Sequence, residues 1–357
     1  MNTVSQHRHF DGHELVVQHS DKNLNAIIAI HDTTLGPAVG GCRMFPYATH
    51  DDALTDVLRL SRGMTYKSAL AGLPLGGGKS VIIGDPRSQK TTDLLHAIGD
   101  FVQSLAGRYA AAEDSGTSVA DIAKIGERTA YISGVIKGDQ HGGDPSPMTA
   151  YGVFKGIEAA VQHRSNTHTE RPLHDIQVAV QGVGNVGFHL TRLLIDAGAR
   201  VTVADVNSDN LAQAKQLAIA NVVAPQEIFA QPVDVLAPCA MGGAINEDSV
   251  PTIRAGIVAG AANNQLQTPD MGEALCERGI LYAPDYVINA GGIIDVFYQR
   301  TGSREPSIVQ GHVDEIADTL GAIFRSADKE GKPTSEVADT IAKSVLNQSI
   351  PGWRHSA

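Results

Sequence analysis

Hydrophobic and polar positions along the chain change period several times, and the changes divide it into elements. Residues 23–30, NLNAIIAI, are β-branched and apolar and predict a strand. The next segment, HDTTLGPAVGGCRM, is broken by glycines and Pro37 and predicts irregular backbone that can approach a ligand. Asp51 and Asp52 can cap a helix in which Leu54, Val57, Leu58 and Leu60 keep helical spacing, running towards Met64 and Lys67. A glycine turn at Gly76–Gly78 is expected before a short strand over Ser80–Ile83, followed by an amphipathic helix over Thr92–Leu105. Tyr109–Ala112 predicts a strand that delivers Glu113 and Asp114 at its C-terminal end, where a sheet presents polar residues to a cleft.

A Gly-, Pro- and Asp-rich stretch, residues 138–148, reads as a hinge between two domains. A helix near Ala150–His163 follows. The pattern then becomes strand, glycine turn, helix: IQVAVQ, GVGNVG, FHLTRLLIDAG. In this G-x-G-x-x-G arrangement Gly182 makes the tight turn, Gly184 lets a pyrophosphate approach the backbone and Gly187 lets helix and strand pack closely. Asn185 and Val186 open that helix and belong to the same phosphate-facing turn. The next strand, RVTVADV, ends in Asp205, 23 residues after Gly182. An acid there accepts hydrogen bonds from ribose hydroxyls and repels a 2′-phosphate, which favours NAD over NADP. Strands near Val233–Leu236, Ala255–Ala259 and Gly279–Tyr282 each run into loops of small and amide-bearing residues, which carry Cys239, Ala240, Asn263 and Asn289. Such alternation predicts a parallel doubly wound sheet with its ligand beyond the strand C-termini. Helices near 312–329 and 334–348 close the chain. The expected fold is α/β with two domains, an N-terminal α/β substrate domain over 1–145 and a Rossmann-type NAD-binding domain over 146–325.

Composition narrows the function classes. The chain has 357 residues and a net charge of −11, with no basic stripe of the kind that binds nucleic acid. Three widely spaced cysteines suggest free thiols in a reducing compartment, so a cytoplasmic protein is expected. No apolar run approaches the ~20 residues of a membrane span. Fourteen histidines are present, but without HExxH or paired His/Cys spacing no metal site is expected.

Two lysines twelve residues apart, Lys67 and Lys79, carry the chemistry an NAD domain needs from its partner domain. The bland reading is a solvated lysine behind a flexible turn. In the other reading, one fixed lysine cation holds an α-carboxylate, while the second, buried near another cation, has its ammonium disfavoured. That second lysine can act as a base on water and an acid on a carbinolamine oxygen, and a nearby carboxylate can carry protons to and from an amine. This reading requires Lys67, Lys79 and Asp114 to converge in space.

The segments IAIHDTTLGPAVGGCRM, RGMTYKSALAGLPLGGGKSVIIGDP, AAEDSGTS, GGDPSPMTAYGV, VQGVGNVG, APCAMGG, GAANNQL and YAPDYVINAGG resemble the amino-acid dehydrogenases of the Glu/Leu/Phe/Val family, in order and over nearly the whole chain. The likeness is to the leucine and phenylalanine branch. It implies reversible oxidative deamination: an L-amino acid, water and NAD give a 2-oxo acid, ammonia and NADH. It implies Lys67, with backbone at Gly40 and Gly41, as the carboxylate site, Lys79 as the acid/base and Asp114 as the proton partner of the amine. Thr149 and Asn263 are implied near nicotinamide and substrate, and Met64 beside the substrate. The resemblance further implies a deep cleft that opens and closes, C-terminal helices from about 326 to 357 that rejoin the first domain, and a homo-oligomer, dimeric or octameric.

For the side-chain pocket the resemblance implies Val39, Ala112, Ile293 and Val296, all aliphatic. Glutamate enzymes carry a lysine at the position of Val39, and an unpaired side-chain carboxylate is costly to bury. Leucine, with valine and isoleucine, is therefore expected. Phenylalanine enzymes tend to have something smaller where Ala112 stands, so Ala112 leans towards the aliphatic substrates; phenylalanine or another aromatic amino acid is the near alternative, since GGCRM also resembles some phenylalanine enzymes. Asp295 departs from the more usual Asn or Gln. A different class, a catalytically silent NAD-binding regulatory protein, would be marked by loss of a lysine or of Asp114, and all three are present.

Overall fold

The computed structural model describes residues 3–135, 144–165, 172–240, 242–302 and 305–347. Most of the expected hinge, 138–148, lies outside them. The chain forms two compact units. The first comprises Met1–Asp144, Val296–Arg304 and Lys343–Ala357, and the second Pro145–Asp295 and Glu305–Ala342.

In the first unit the elements are β1 (Thr3–Phe10), β2 (His13–Ser20), β3 (Asn25–Asp32), β4 (Ala38–Phe45), α1 (His50–Leu70), β5 (Gly76–Ile83), α2 (Thr92–Gln103), β6 (Tyr109–Ala112) and α3 (Val119–Ile125). They build a mixed six-stranded sheet of order β1-β2-β3-β5-β4-β6, with β4 parallel to both β5 and β6. On one face Ile28, Ile30, Cys42, Met44, Ile82 and Tyr109 form a core with Ile98, Phe101 and Val102 of α2 and Ile122 and Ile125 of α3. On the other face Val16, Ile27, Ala29 and Val81 pack against Val57 and Leu58 of α1. Helix α1 starts at Thr49, whose side chain accepts from the Asp52 N–H while Asp52 returns a bond to the Thr49 N–H. The cap thus lies just before the two aspartates expected to provide it.

Two expectations change here. Gly76–Gly78 is not a turn; it is the first half of strand β5, paired with both β3 and β4. The glycines serve close packing: a Cβ at Gly77 would overlap Thr65 of α1 and stand 2.6 Å from the Ser61 carbonyl, and one at Gly78 would stand 2.7 Å from the Tyr109 ring. Likewise most of the segment expected to be irregular is strand β4, and only residues 33–37 turn. A Cβ at Gly40 would overlap the Gly78 carbonyl.

The second unit contains α4 (Ser146–Ser165), β7 (Gln177–Gln181), α5 (Asn185–Asp196), β8 (Arg200–Ala204), α6 (Ser208–Ala214), β9 (Asn221–Val222), β10 (Val235–Pro238), β11 (Ile257–Val258), α7 (Asp270–Glu277), β12 (Leu281–Tyr282), α8 (Asp285–Ile288), α9 (Gly291–Thr301), α10 (Pro306–Glu330) and α11 (Thr334–Leu346), of which α9 and α11 end in residues of the first. Its sheet is parallel throughout, in the order β12-β11-β10-β7-β8-β9, so the winding reverses between β7 and β10. The doubly wound expectation is met. The helices after 326 differ from expectation. Residues 305–342 cluster with the second unit, because the Tyr151 hydroxyl donates to Asp314 at 2.6 Å, the Tyr286 hydroxyl donates to Asp339 at 2.6 Å and the Thr334 hydroxyl to the Tyr282 carbonyl at 2.6 Å. Among the described residues no helix is long and apolar enough to cross a membrane.

Candidate active site

Along a strand every second residue points to the same side, and residues paired across neighbouring strands share that side. The pairings Val39 with Gly77 and Gly41 with Ala112 therefore put Val39, Gly41 and Arg43 of β4, Gly77 and Lys79 of β5, and Ala112 of β6 on one face. It is the face covered by α1, since Gly77 lies against Thr65 and Ser61. On α1, Asp56 and Lys67 are eleven residues, about three turns, apart and so look the same way.

Of the three residues whose convergence the chemistry requires, Lys79 and Asp114 are in contact and Lys67 acts on the charge of Lys79. Lys79 is only 4% exposed, and its Nζ contacts Asp114 Oδ2. Asp114 leaves the end of β6 and is aimed by its own turn: Thr117 N donates to its carbonyl at 2.9 Å, and Ser115 N donates to Oδ1 at 2.6 Å. Gly41 makes room for it, because a Cβ there would overlap the Asp114 carboxylate. Lys67, in the last turn of α1, is buried. Burial, then the Arg43 guanidinium, then Lys67 drive the Lys79 ammonium well below the ordinary lysine range, against the opposing charge of Asp56. Next along the chain, burial and then Asp144 push the Glu113 carboxyl up.

Beneath this layer lies a fully buried phenol. The Tyr109 hydroxyl donates to the Gly40 carbonyl at 2.8 Å, has the Gly41 carbonyl at 3.2 Å and lies 3.0 Å from Ser80 Oγ. It fixes the Gly40–Gly41 peptide from behind. Sequence reasoning did not single out Tyr109, Arg43, Asp56 or Tyr47. Had β4 been read as a strand, the two-residue step from Gly41 would have pointed to Arg43.

Of the expected pocket residues, Val39 is buried and shares the Lys79 face with the half-buried Ala112. Val296 is buried in the first unit, where a Cβ at Gly134 would stand 3.8 Å from it. Ile293 is buried in the second unit. Met64 is half-buried on α1.

In the second unit the winding reversal brings two strand ends together. Gly182, after β7, has φ +90°, and a Cβ there would stand 2.8 Å from that of Ala240, beyond β10. Gly184 is the N-cap of α5, and among the described residues the only atom near a Cβ built on it would be Asn210 Nδ2 at 3.8 Å. Its open approach leads to the helix N-terminus formed by Asn185 and Val186. A Cβ at Gly187 would overlap the Gly182 carbonyl and stand 3.4 Å from Cys239 Cβ. Burial pushes the Cys239 thiol up to about 12, which makes it a packing group. Asp205 accepts from Val183 N at 2.8 Å, Asn207 N at 2.8 Å and Asn210 Nδ2 at 3.1 Å. Asn289 Nδ2 donates to Asn263 Oδ1 at 2.9 Å and to the Ala261 carbonyl at 3.0 Å. Thr149 Oγ1 donates to the Pro145 carbonyl at 2.9 Å. Open glycine backbone at a helix N-terminus, at the reversal of the sheet and beside a fixed carboxylate, fits a dinucleotide.

Residues 13–131 match the Glu/Leu/Phe/Val dehydrogenase dimerisation domain, and residues 143–224 and 205–298 match the Glutamate/Leucine/Phenylalanine/Valine dehydrogenase domain. The leucine dehydrogenase of Geobacillus stearothermophilus is 47% identical over 330 residues, 92% of this chain and 89% of that one. The valine dehydrogenase of Streptomyces virginiae is 44% identical over 95% of both chains. The crystal structure of L-tryptophan dehydrogenase from Nostoc punctiforme superposes with a TM-score of 0.78 at 45% identity, covering 95% of this chain and 96% of that one. With both domains matched, and relatives this similar over nearly their full length, the chain belongs to the Glu/Leu/Phe/Val family of amino-acid dehydrogenases.

Proposed function

We propose that this dehydrogenase catalyses the reversible oxidative deamination of leucine, and of valine and isoleucine, with NAD. The observation that carries the reading is the buried Lys79 held against Asp114 and flanked by two further cations. A lysine neutral at working pH takes a proton from water as that water attacks the imine carbon, and in the reverse direction gives a proton to the carbinolamine oxygen as water leaves. Asp114 carries protons to and from the amine. Lys67 offers a fixed cation for the α-carboxylate, together with the Gly40–Gly41 backbone that Tyr109 holds. Each acid or base of this kind contributes ~10²–10⁴ in rate.

When bound, NAD accepts the hydride from the substrate Cα. The turn Gly182–Gly187 and the start of α5 would hold its pyrophosphate, with Cys239, Ala240, Thr149, Asn263 and Asn289 around it. Asp205 would take the ribose hydroxyls, and its carboxylate, already fixed by three N–H donors, disfavours a 2′-phosphate. Val39 and Ala112 present aliphatic surface beside Lys79, to which Val296 of the same unit would add. The free thiols fit a reducing, cytoplasmic setting, and the match to a dimerisation domain supports a homo-oligomer.

A second reading takes an aromatic amino acid as substrate, favoured by the likeness to L-tryptophan dehydrogenase. A methylene or two in an apolar pocket is worth only ~1–3 kcal/mol, so measurement decides. A panel of L-amino acids with NAD, followed at the NADH absorbance, should give the highest kcat/KM for leucine. An equal or higher value for phenylalanine or tryptophan would overturn the aliphatic assignment.

A further inference from the structure

Arg43 stands outside the set of groups that the reaction above uses, yet it touches that set. Its Nη2 lies 3.4 Å from Asp114 Oδ1, while Lys79 contacts Oδ2 of the same carboxylate. Its Nη1 is fixed 2.8 Å from Asp56 Oδ2 on α1, and the Tyr47 hydroxyl donates to the same oxygen at 2.5 Å. Burial and then the bond to Asp56 raise the Tyr47 phenol, so it stays protonated and donates. Arg43 is less than a fifth exposed, and its Nε is buried without a hydrogen-bond partner among the described residues. The Asp56 carboxylate, steadied by the Tyr47 phenol, and the Asp114 carboxylate therefore hold one guanidinium in one place. A planar guanidinium fixed at both ends is a rigid charge, unlike a lysine at the end of a flexible stem.

We propose that Arg43, clamped by Asp56 and Tyr47, is a positioning residue that holds Asp114 for proton transfer and, with Asp56, balances the charge around Lys79. The proposal rests on the reading of Lys79 and Asp114 given above. Charged and titratable groups around Lys79 come from three sides: Lys67 and Asp56 from α1, Arg43 from β4, and Asp114 and Glu113 after β6; the Cys42 thiol lies behind β4 on the opposite face of the sheet. Within this set the two clamp partners act with opposite sign. Arg43 makes the Lys79 ammonium harder to form and Asp56 makes it easier. A neutral Lys79 is the base, so activity in the deamination direction rises with pH as Lys79 loses its proton. Arg43→Gln removes a nearby cation, lets Lys79 keep its proton longer and should move the acidic limb of kcat/KM to higher pH by about one unit. Asp56→Asn removes a nearby anion and should move that limb to lower pH.

The experiment measures kcat/KM against pH for the wild-type enzyme, Arg43→Gln, Arg43→Lys and Asp56→Asn, with leucine and NAD. Thermal melting of each variant checks that it is folded. Opposite shifts of the acidic limb in Arg43→Gln and Asp56→Asn, with partial return of the limb in Arg43→Lys, support the proposal; a residue that only stabilises the fold would lower rates without moving the limb in opposite directions. Limbs that coincide with the wild-type limb in the folded variants overturn the proposal alone. Should Arg43→Gln not fold, Asp56→Asn decides by the direction of its shift. A wild-type enzyme without turnover on any amino acid overturns the functional reading, and the proposal with it.

Discussion

Replacing Gly77 by alanine tests whether the glycine run serves contact rather than flexibility. The added methyl would overlap the Thr65 side chain and backbone nitrogen and stand 2.6 Å from the Ser61 carbonyl. Two of these three neighbours are backbone of α1, which cannot rotate away as a side chain would. Overpacking of this kind costs typically ~1–3 kcal/mol, and rigid neighbours place Gly77→Ala at the upper end, about 3 kcal/mol. At ~2–4 °C per kcal/mol for domains of roughly 150–250 residues, Tm should fall by about 6–12 °C. Two residues along β5 sits Lys79, so the same shift displaces the base, and a misplacement of ~1 Å costs about 10²-fold in kcat. Gly63→Ala is the matched control. It lies within α1, where the new methyl meets nothing within 4 Å, and removing a mid-helix glycine should stabilise by about 0.5–1 kcal/mol. Melting curves and kcat on both variants are the assay. If Gly77→Ala melts and turns over like the wild type, the β5–α1 contact does not set the site and the reasoning fails.

Lys79→Ala should keep NAD binding, read by fluorescence titration, while kcat drops by ~10²–10⁴; near-normal kcat would remove Lys79 from the acid/base role. Lys67→Ala should chiefly raise KM for the amino acid, and an unchanged KM would count against a carboxylate site there. Acid stability should report a histidine pair against α1, His13 buried and His31 half-buried. The rings of His13 and His31 lie 4.9 Å apart, and burial, then His13, then Arg62 push His31 down from 6.5 to about 4. Because the folded chain resists a proton that the unfolded chain accepts, this contribution is intact above pH 6.5 and is lost as pH falls towards 4. Urea unfolding of the wild type should weaken across that window, and His31→Gln should flatten the dependence; identical slopes for both proteins would exclude His31 as the cause.

Much of the second unit was legible because its signals are local. A strand, a glycine turn and a helix follow one another within about twenty residues, and the acid at Asp205 sits where the next strand ends. The first unit was harder. Glycine weakens a strand in isolation, so GPAVGG and GGGK read as irregular backbone or turn. Their pairing comes from partners far away in sequence: Val39 meets Ala110, and Ala29 meets Lys79. The N-terminal hairpin, in which Val16 pairs with His7 in a polar-looking stretch, was not visible for the same reason. Lys67, Lys79 and Asp114 were found through their chemistry and a family resemblance. Arg43 and Asp56 were missed because their meaning lies in a contact between a strand and a helix, which spacing along the chain does not encode.

Strand β4 has a practical consequence for anyone who wishes to redirect the enzyme to a new amino acid. Val39, Gly41 and Arg43 point the same way at successive two-residue steps, so the proposed pocket wall, the space for Asp114 and the guanidinium clamp are carried on a single rigid ruler. Retuning Val39 by size alone can leave the ruler in register. Inserting or deleting one residue within β4 itself cannot, because a one-residue slip against β5 and β6 would turn these positions towards Tyr109 and bring Gly40 and Cys42 to the opposite face. Substrate range and turnover are thus mechanically linked in this fold, and libraries built by substitution should recover active variants where libraries that change the length of β4 do not.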